Sequence, residues 1–115
     1  MKNKIVTKEV ERLMDKYPLY SQDGKPDTEK KVLFKVFNPY GDQTWYILEA
    51  SEPLENGDRE LFAFVVWGYV AEYGSVMLSE LTDTRVNVFG HKLPLERDLY
   101  FHGTLADAKK ESGVA

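Results

Sequence analysis

The run Leu61-Phe62-Ala63-Phe64-Val65-Val66-Trp67-Gly68-Tyr69 is apolar at odd and at even positions alike. A half-solvated strand alternates, so this pattern predicts a strand covered on both faces, with a neighbour along each edge. Residues 44–50 (Thr-Trp-Tyr-Ile-Leu-Glu-Ala) and 76–78 (Val-Met-Leu) supply those neighbours. Between them, Glu52-Pro53-Leu54-Glu55-Asn56-Gly57-Asp58 contains Asn-Gly, the strongest short hairpin signal. Glu72-Tyr73-Gly74-Ser75 reads as the next turn, and Ser79 followed by Glu80 reads as the cap of a helical turn ending at Asp83.

The rest of the chain is expected to cover this sheet. Ile5, Val6, Val10, Leu13, Met14 and Tyr17 recur at three-and-four spacing, with Lys8, Glu9, Glu11, Arg12, Asp15 and Lys16 on the other side. That is an amphipathic helix of about three turns, capped by Thr7, stopped by Pro18 and docked on the sheet. Residues 19–31 carry turn chemistry. Residues 32–37 form a strand with Val32, Phe34 and Val36 on one face, and residues 38–42 a turn. Residues 85–92 read as an irregular connection and residues 96–102 as a last strand, with Arg97 ion-paired to Glu96, Glu80 or Asp98. Thr104 with Asp107 starts a short terminal helix over residues 105–111. The expected fold is α+β, a single domain with a mostly antiparallel sheet of about five strands between an N-terminal amphipathic helix and a short C-terminal helix.

Composition narrows the chemistry. The 115 residues are 43% hydrophobic and contain no cysteine, so a core forms without disulfides, and thiol catalysis and thiolate metal sites are excluded. The basic start, Met1-Lys2-Asn3-Lys4, gives way to charged residues by Lys8 and Glu9 with no apolar signal region between, and no apolar run nears the roughly 20 residues of a membrane span, so a cytoplasmic protein is expected. Charge is unevenly spread. Residues 1–35 hold nine Lys/Arg against six Asp/Glu, and residues 36–100 hold four against eleven. The sheet-forming part is thus acidic, which opposes phosphate neutralisation by Lys and Arg and favours a basic protein partner over direct nucleic acid binding.

Catalytic constellations are sparse. Neither His91 nor His102 accompanies a Gly-x-Ser-x-Gly elbow. Asp98 and His102, four apart on the expected strand, lie about 13 Å from each other, too far to share a metal ion. The acidic residues around the 52–58 turn lack EF-hand spacing, and no phosphate-cradling or dinucleotide motif occurs, so no metal or cofactor is expected. Trp45, Tyr46, Phe62, Phe64, Trp67 and Tyr69 admit a base-stacking platform but read as core, with Trp45 and Trp67 holding the scaffold.

Pro18-Leu19-Tyr20, Thr44-Trp45-Tyr46 with Glu49, Leu61-Phe62, Glu72-Tyr73-Gly74, Leu78-Ser79-Glu80-Leu81 and the specific block Leu93-Pro94-Leu95-Glu96-Arg97-Asp98-Leu99-Tyr100-Phe101 resemble, in order, a bacterial domain-of-unknown-function family, the one numbered twenty-nine fifty-eight. Tyr17 stands where a second proline is common, Ser75 where an aromatic often sits, and the chain has extra residues around His91-Lys92. The resemblance implies no reaction. It implies a short product of plasmids, conjugative elements and phage-like islands, often encoded near anti-restriction genes. With the acidic middle, the expectation is a non-enzymatic accessory protein of a mobile element, of anti-restriction or anti-CRISPR type. It would bind a basic nuclease surface through Glu49, Glu52, Glu55, Asp58, Glu72, Glu80 and Asp83. The alternative is a single-stranded nucleic acid binder using exposed sheet aromatics. The third reading is a small hydrolase resting on the 96–102 strand, with Tyr100 and a loop carboxylate, and it requires a deep pocket there.

Overall fold

In the computed structural model, which describes residues 5–114, the buried-strand pattern is met by β3 (Glu60–Trp67), flanked by β2 (Gln43–Ala50) and β4 (Val70–Met77). β1 (Phe34–Phe37) and β7 (Glu96–Arg97) complete a five-stranded antiparallel sheet in the order β4-β3-β2-β1-β7. Residues 1–4, the basic start, lie outside the described part. The fold is α+β. Both faces of β3 are covered as its sequence predicts: Leu61 and Ala63 point to one side, Phe64 and Val66 to the other.

The first face is roofed by α1 (Lys8–Lys16) through Val10 and Met14 and by α2 (Leu78–Asp83) through Leu78 and Leu81. Thr7 caps α1 as predicted, its Oγ1 accepting the Val10 N–H at 3.2 Å, and the chain leaves helical geometry at Tyr17, just before Pro18. The second face is roofed by α3 (Leu105–Ser112) through Leu105 and Ala108. Its capping box is present too: Thr104 N–H donates to Asp107 Oδ2 at 2.9 Å, and Gly113 closes the helix at φ 74°. Each large side chain buried between these layers stabilises by about 1.5–3 kcal/mol.

One irregularity directs everything near β2. The β2–β3 register slips between Ile47 and Glu49, so Leu48 is an extra residue on β2. Tyr46 and Leu48 face α3, and the bulge turns Ala50 to the α1 face instead of continuing the alternation. β1 reaches only to Ile47, leaving the end of β2 paired with β3 on one edge and without a strand on the other. The preceding loop fills that edge: Ala50 N–H donates to Tyr17 C=O at 3.0 Å, and Gln22 Nε2 donates to Leu48 C=O at 2.8 Å.

Five local expectations are corrected. The turn after β3 is Gly68-Tyr69, with Gly68 at φ 61°, and Glu72-Tyr73-Gly74-Ser75 lies inside β4. Pairing along the whole of β3 outweighs the local turn chemistry of Gly74. Ser79 is not the cap of α2; Met77 occupies that position, and Glu80 Oε1 accepts its N–H at 3.3 Å. Residues 85–92 are not irregular. They contribute to a separate hairpin of β5 (Arg85–Val88) and β6 (His91–Pro94), turned by Phe89 and Gly90, both at positive φ. The last strand ends at Arg97, because Asp98 Oδ1 accepts the N–H groups of Tyr100 (2.8 Å) and Phe101 (3.1 Å) and curls the chain. Val32 does not share a face with Phe34 and Val36. Val32 N–H pairs with Gly103 C=O and Leu33 N–H with Ile47 C=O, so Leu33 takes the α1 side and Val32 the α3 side.

Candidate protein interface

The seven acidic residues singled out by sequence fall into two groups. Three accept hydrogen bonds within the fold, two of them, Glu49 and Asp58, from buried or half-buried positions. Glu49 is only 4% exposed, and its carboxylate accepts the N–H groups of Tyr20 and Gln22, each at 2.8 Å, fastening the 18–31 loop to the bulge. Asp58 ties α2 to the β2–β3 loop: it accepts Ser79 Oγ–H at 2.6 Å, Ser79 N–H at 2.9 Å and Arg59 N–H at 2.9 Å. The Ser79 hydroxyl, with those two N–H groups, holds the Asp58 carboxyl below its ordinary value. Glu80 accepts the Met77 N–H at 3.3 Å and stays exposed.

Glu52, Glu55, Glu72 and Asp83 remain exposed. Strand register places Glu52 and Glu55, in the β2–β3 loop, at the same end of the sheet as α2 and Asp83, since Ala50 pairs with Leu61 and Glu60 with Met77. Exposed Glu60 joins them, receiving only a 3.3 Å bond from Ser75. Glu72 is opposite Val65, toward the other end, and is not part of this group. The arginines of the acidic end are occupied. Arg59, 7% exposed, donates to Asp15 at 2.8 Å and to Ser51 C=O at 3.1 Å, and Arg85 donates to the Thr82 and Thr84 carbonyls. Five carboxylates, Glu80 of α2 included, therefore face solvent at one end of the sheet, with both nearby guanidinium groups turned inward or onto backbone.

The opposite end is aromatic, contrary to the expectation that Trp67 is core. Trp67 is 61% exposed and Tyr69, at the turn, fully so. Tyr40, in the adjoining β1–β2 turn, and Val70 are also exposed. The missed signal was Gly68: once it is the turn, Tyr69 stands at the tip and Trp67 passes beyond the cover of α1 and α2. Tyr46 and Phe64 are buried, as predicted, and Trp45 is half-buried.

The expected Arg97 ion pair is also absent. The guanidinium contacts no carboxylate among the described residues, and its Nε is enclosed without a hydrogen-bond partner. Val36 lies directly across from Arg97, placing it toward the α1 face, whereas Asp98 is drawn to Lys35 at 3.1 Å.

The chemistry proposed for residues 96–102 does not assemble in one place. Tyr100 projects into solvent and Asp98 is bonded to Lys35, while His102 lines a shallow groove with Tyr17 and Lys31. Among the described residues no three His, Asp or Glu side chains gather as metal ligands. No described helix is long and apolar enough to cross a membrane.

Against this geometry, a profile of the family described as "Protein of unknown function (DUF2958)" matches residues 5–108, nearly the whole chain. The chain belongs to this family. The DUF2958 match spans α1, the whole five-stranded sheet and the first half of α3, so the acidic end, the aromatic end and the groove all lie within it. No curated protein and no solved structure matches the chain.

Proposed function

We propose that this DUF2958 protein is a non-enzymatic accessory protein of a bacterial mobile element that acts in the cytoplasm by binding a basic surface, such as the nucleic-acid groove of a restriction or CRISPR nuclease. The observation that supports it is the acidic end: Glu52, Glu55, Glu60 and Asp83 exposed together, with Arg59 and Arg85 occupied elsewhere. Carboxylates arranged in this way mimic the charge of a phosphate backbone and accelerate encounter with a cationic groove. Asp58 and Glu49 support the fold rather than the contact.

The triple variant Glu52→Lys, Glu55→Lys, Asp83→Lys, captured with host-cell lysate beside the wild type, is expected to lose its nuclease partner, with binding weakened at least about tenfold and its salt dependence abolished. Unchanged capture and unchanged nuclease inhibition by the triple variant would remove this reading.

A second reading, single-stranded nucleic acid binding, draws support from the exposure of Trp67 and Tyr69. It predicts that labelled oligo(dT) quenches tryptophan fluorescence at low salt and that Trp67→Ala with Tyr69→Ala abolishes the quenching. Asp42, whose carboxylate approaches Gly68, and Glu72 on β4 flank this tip with negative charge. That charge disfavours phosphate and makes a protein the preferred partner.

A further inference from the structure

Between the C-terminal end of α1, the 18–31 loop and the segment leading into α3 lies an open groove of about 480 Å³, lined by Tyr17, Thr28, Glu29, Lys31, His102 and Thr104. Its size falls in the range of small-molecule sites and exceeds what a lone phosphate group fills. Its walls are fixed. Gln22, 1% exposed, clamps Lys31 on both backbone groups, accepting its N–H at 2.7 Å and donating to its C=O at 2.8 Å. Lys31 is bridged to Thr104, and the Val32 N–H bonds Gly103 C=O at 3.0 Å, so the two sides are held in register.

The groove presents donors that the fold does not use. The Lys31 ammonium, the Thr28 hydroxyl and the His102 imidazole make no hydrogen bond among the described residues. Lys16 and Lys25 each hold their Nζ 5.7 Å from the centre of the Tyr17 ring, adding two cations at the rim. The surrounding carboxylates are largely engaged: Asp27 with Lys109 at 2.7 Å, Asp15 with Arg59 at 2.8 Å, and Glu49 with two backbone N–H groups. Glu29 is the one acid lining the groove. An unpaired cation and a hydroxyl donor recognise an oxyanion, and a single carboxylate accepts from sugar hydroxyls or a base amine.

We propose that this groove binds a nucleotide, free or at the end of a single strand, with its phosphate on Lys31, Thr28 and His102 and its remaining polar groups toward Glu29. The proposal does not depend on the acidic end, since none of Glu52, Glu55 and Asp83 lines the groove.

The test is calorimetric titration of the full chain with AMP, with 5′-phosphorylated octathymidylate and with inorganic phosphate, at fixed ionic strength. Saturable AMP binding with Kd between about 10 μM and 1 mM is expected, as befits a shallow site. Lys31→Ala should weaken it about tenfold and Lys31→Arg by no more than about threefold, the melting temperature being unchanged because the Lys31 side chain supports no fold contact. Octathymidylate binding about tenfold tighter than AMP assigns the site to strand ends; equal affinity assigns it to free nucleotides. The proposal is overturned if neither nucleotide probe binds at about 5 mM, if inorganic phosphate binds as tightly as AMP, or if Lys31→Ala leaves binding unchanged.

Discussion

Glu49→Ala lowers the unfolding free energy by about 2–4 kcal/mol, because one buried and one half-buried backbone donor lose their acceptor together and each unsatisfied group costs about 1–3 kcal/mol. The donors are the N–H groups of Tyr20 and Gln22, each 2.8 Å from a Glu49 oxygen. The neighbouring carbonyls already accept other donors: Leu48 C=O takes the Gln22 side-chain amide and Tyr17 C=O takes the Ala50 N–H. Tyr20 itself sits at φ 72°, a left-handed geometry that a tyrosine holds only when its surroundings require it. Urea denaturation is the measurement, with Glu49→Gln as the intermediate case, since an amide keeps one acceptor oxygen. Gln22→Ala should cost a similar amount, and the double variant less than the sum, because both residues fasten the same loop. Additive effects, or a loss below about 0.5 kcal/mol for Glu49→Ala, would show the loop to be held by something else.

Glu49 also illustrates what the sequence made legible and what it left hidden. As a lone acid at the end of an aromatic strand, preceding a turn rich in glutamate, it read as one more surface carboxylate. Its burial depends on a bulge at Leu48 and on N–H groups 27 and 29 residues earlier in the chain, and no local pattern encodes either. The elements that were legible are those whose signal is local and repeated. They are the three-and-four stripe of α1 with Thr7 in front, the two-faced apolar run of β3, and the reciprocal Thr104 and Asp107. Where two local signals competed, long-range pairing chose between them. Gly74 reads as the turn and Gly68 as part of the strand, but β3 and β4 pair continuously from Glu60 with Met77 to Trp67 with Val70, which fixes the turn at Gly68. Residues 96–102 alternated well enough for a strand, but Asp98 found two backbone donors within three residues and ended it. For the interface, acidity was readable from composition. The division of acids into structural and free ones required the partners Ser79, Tyr20 and Gln22.

On the α3 face, removing the charge of Lys35 should be the largest electrostatic perturbation of the fold. Its Nζ lies 2.7 Å from Glu111 and 3.1 Å from Asp98, and 5.4 and 5.6 Å from the ring centres of Tyr46 and Phe101. Tyr46 Oη–H donates to the same Glu111 oxygen at 2.6 Å, so one carboxylate links β1, β2 and α3. Burial alone would pull the Lys35 ammonium down, but hydrogen bonds to Glu111 and Asp98 outweigh it and raise Lys35 above its ordinary value. Burial, reinforced by the Glu111 carboxylate, pushes the Tyr46 phenol up as well. Asp98 is shifted the other way: burial pushes it up, but the Tyr100 N–H, the Lys35 ammonium and the Phe101 N–H outweigh it and hold its carboxyl low. For Lys35 and Tyr46 the folded state holds its proton more tightly than the unfolded state. Their contribution is therefore complete below the unfolded values of about 10.4 and 10 and is lost as pH rises above them. Lys35→Met, which keeps the stem between the rings and removes the ammonium, should cost about 1.5–3 kcal/mol at pH 7, the worth of hydrogen bonds to charged groups. It should also flatten the fall in stability above about pH 10. Tyr46→Phe should cost about 1 kcal/mol and remove the phenol's share of that fall. Chemical denaturation from pH 7 to 11 distinguishes these outcomes. A Lys35→Met curve that runs parallel to the wild type across the alkaline limb would place the coupling between sheet and α3 in apolar packing around Leu105 and Ala108 rather than in this ion cluster.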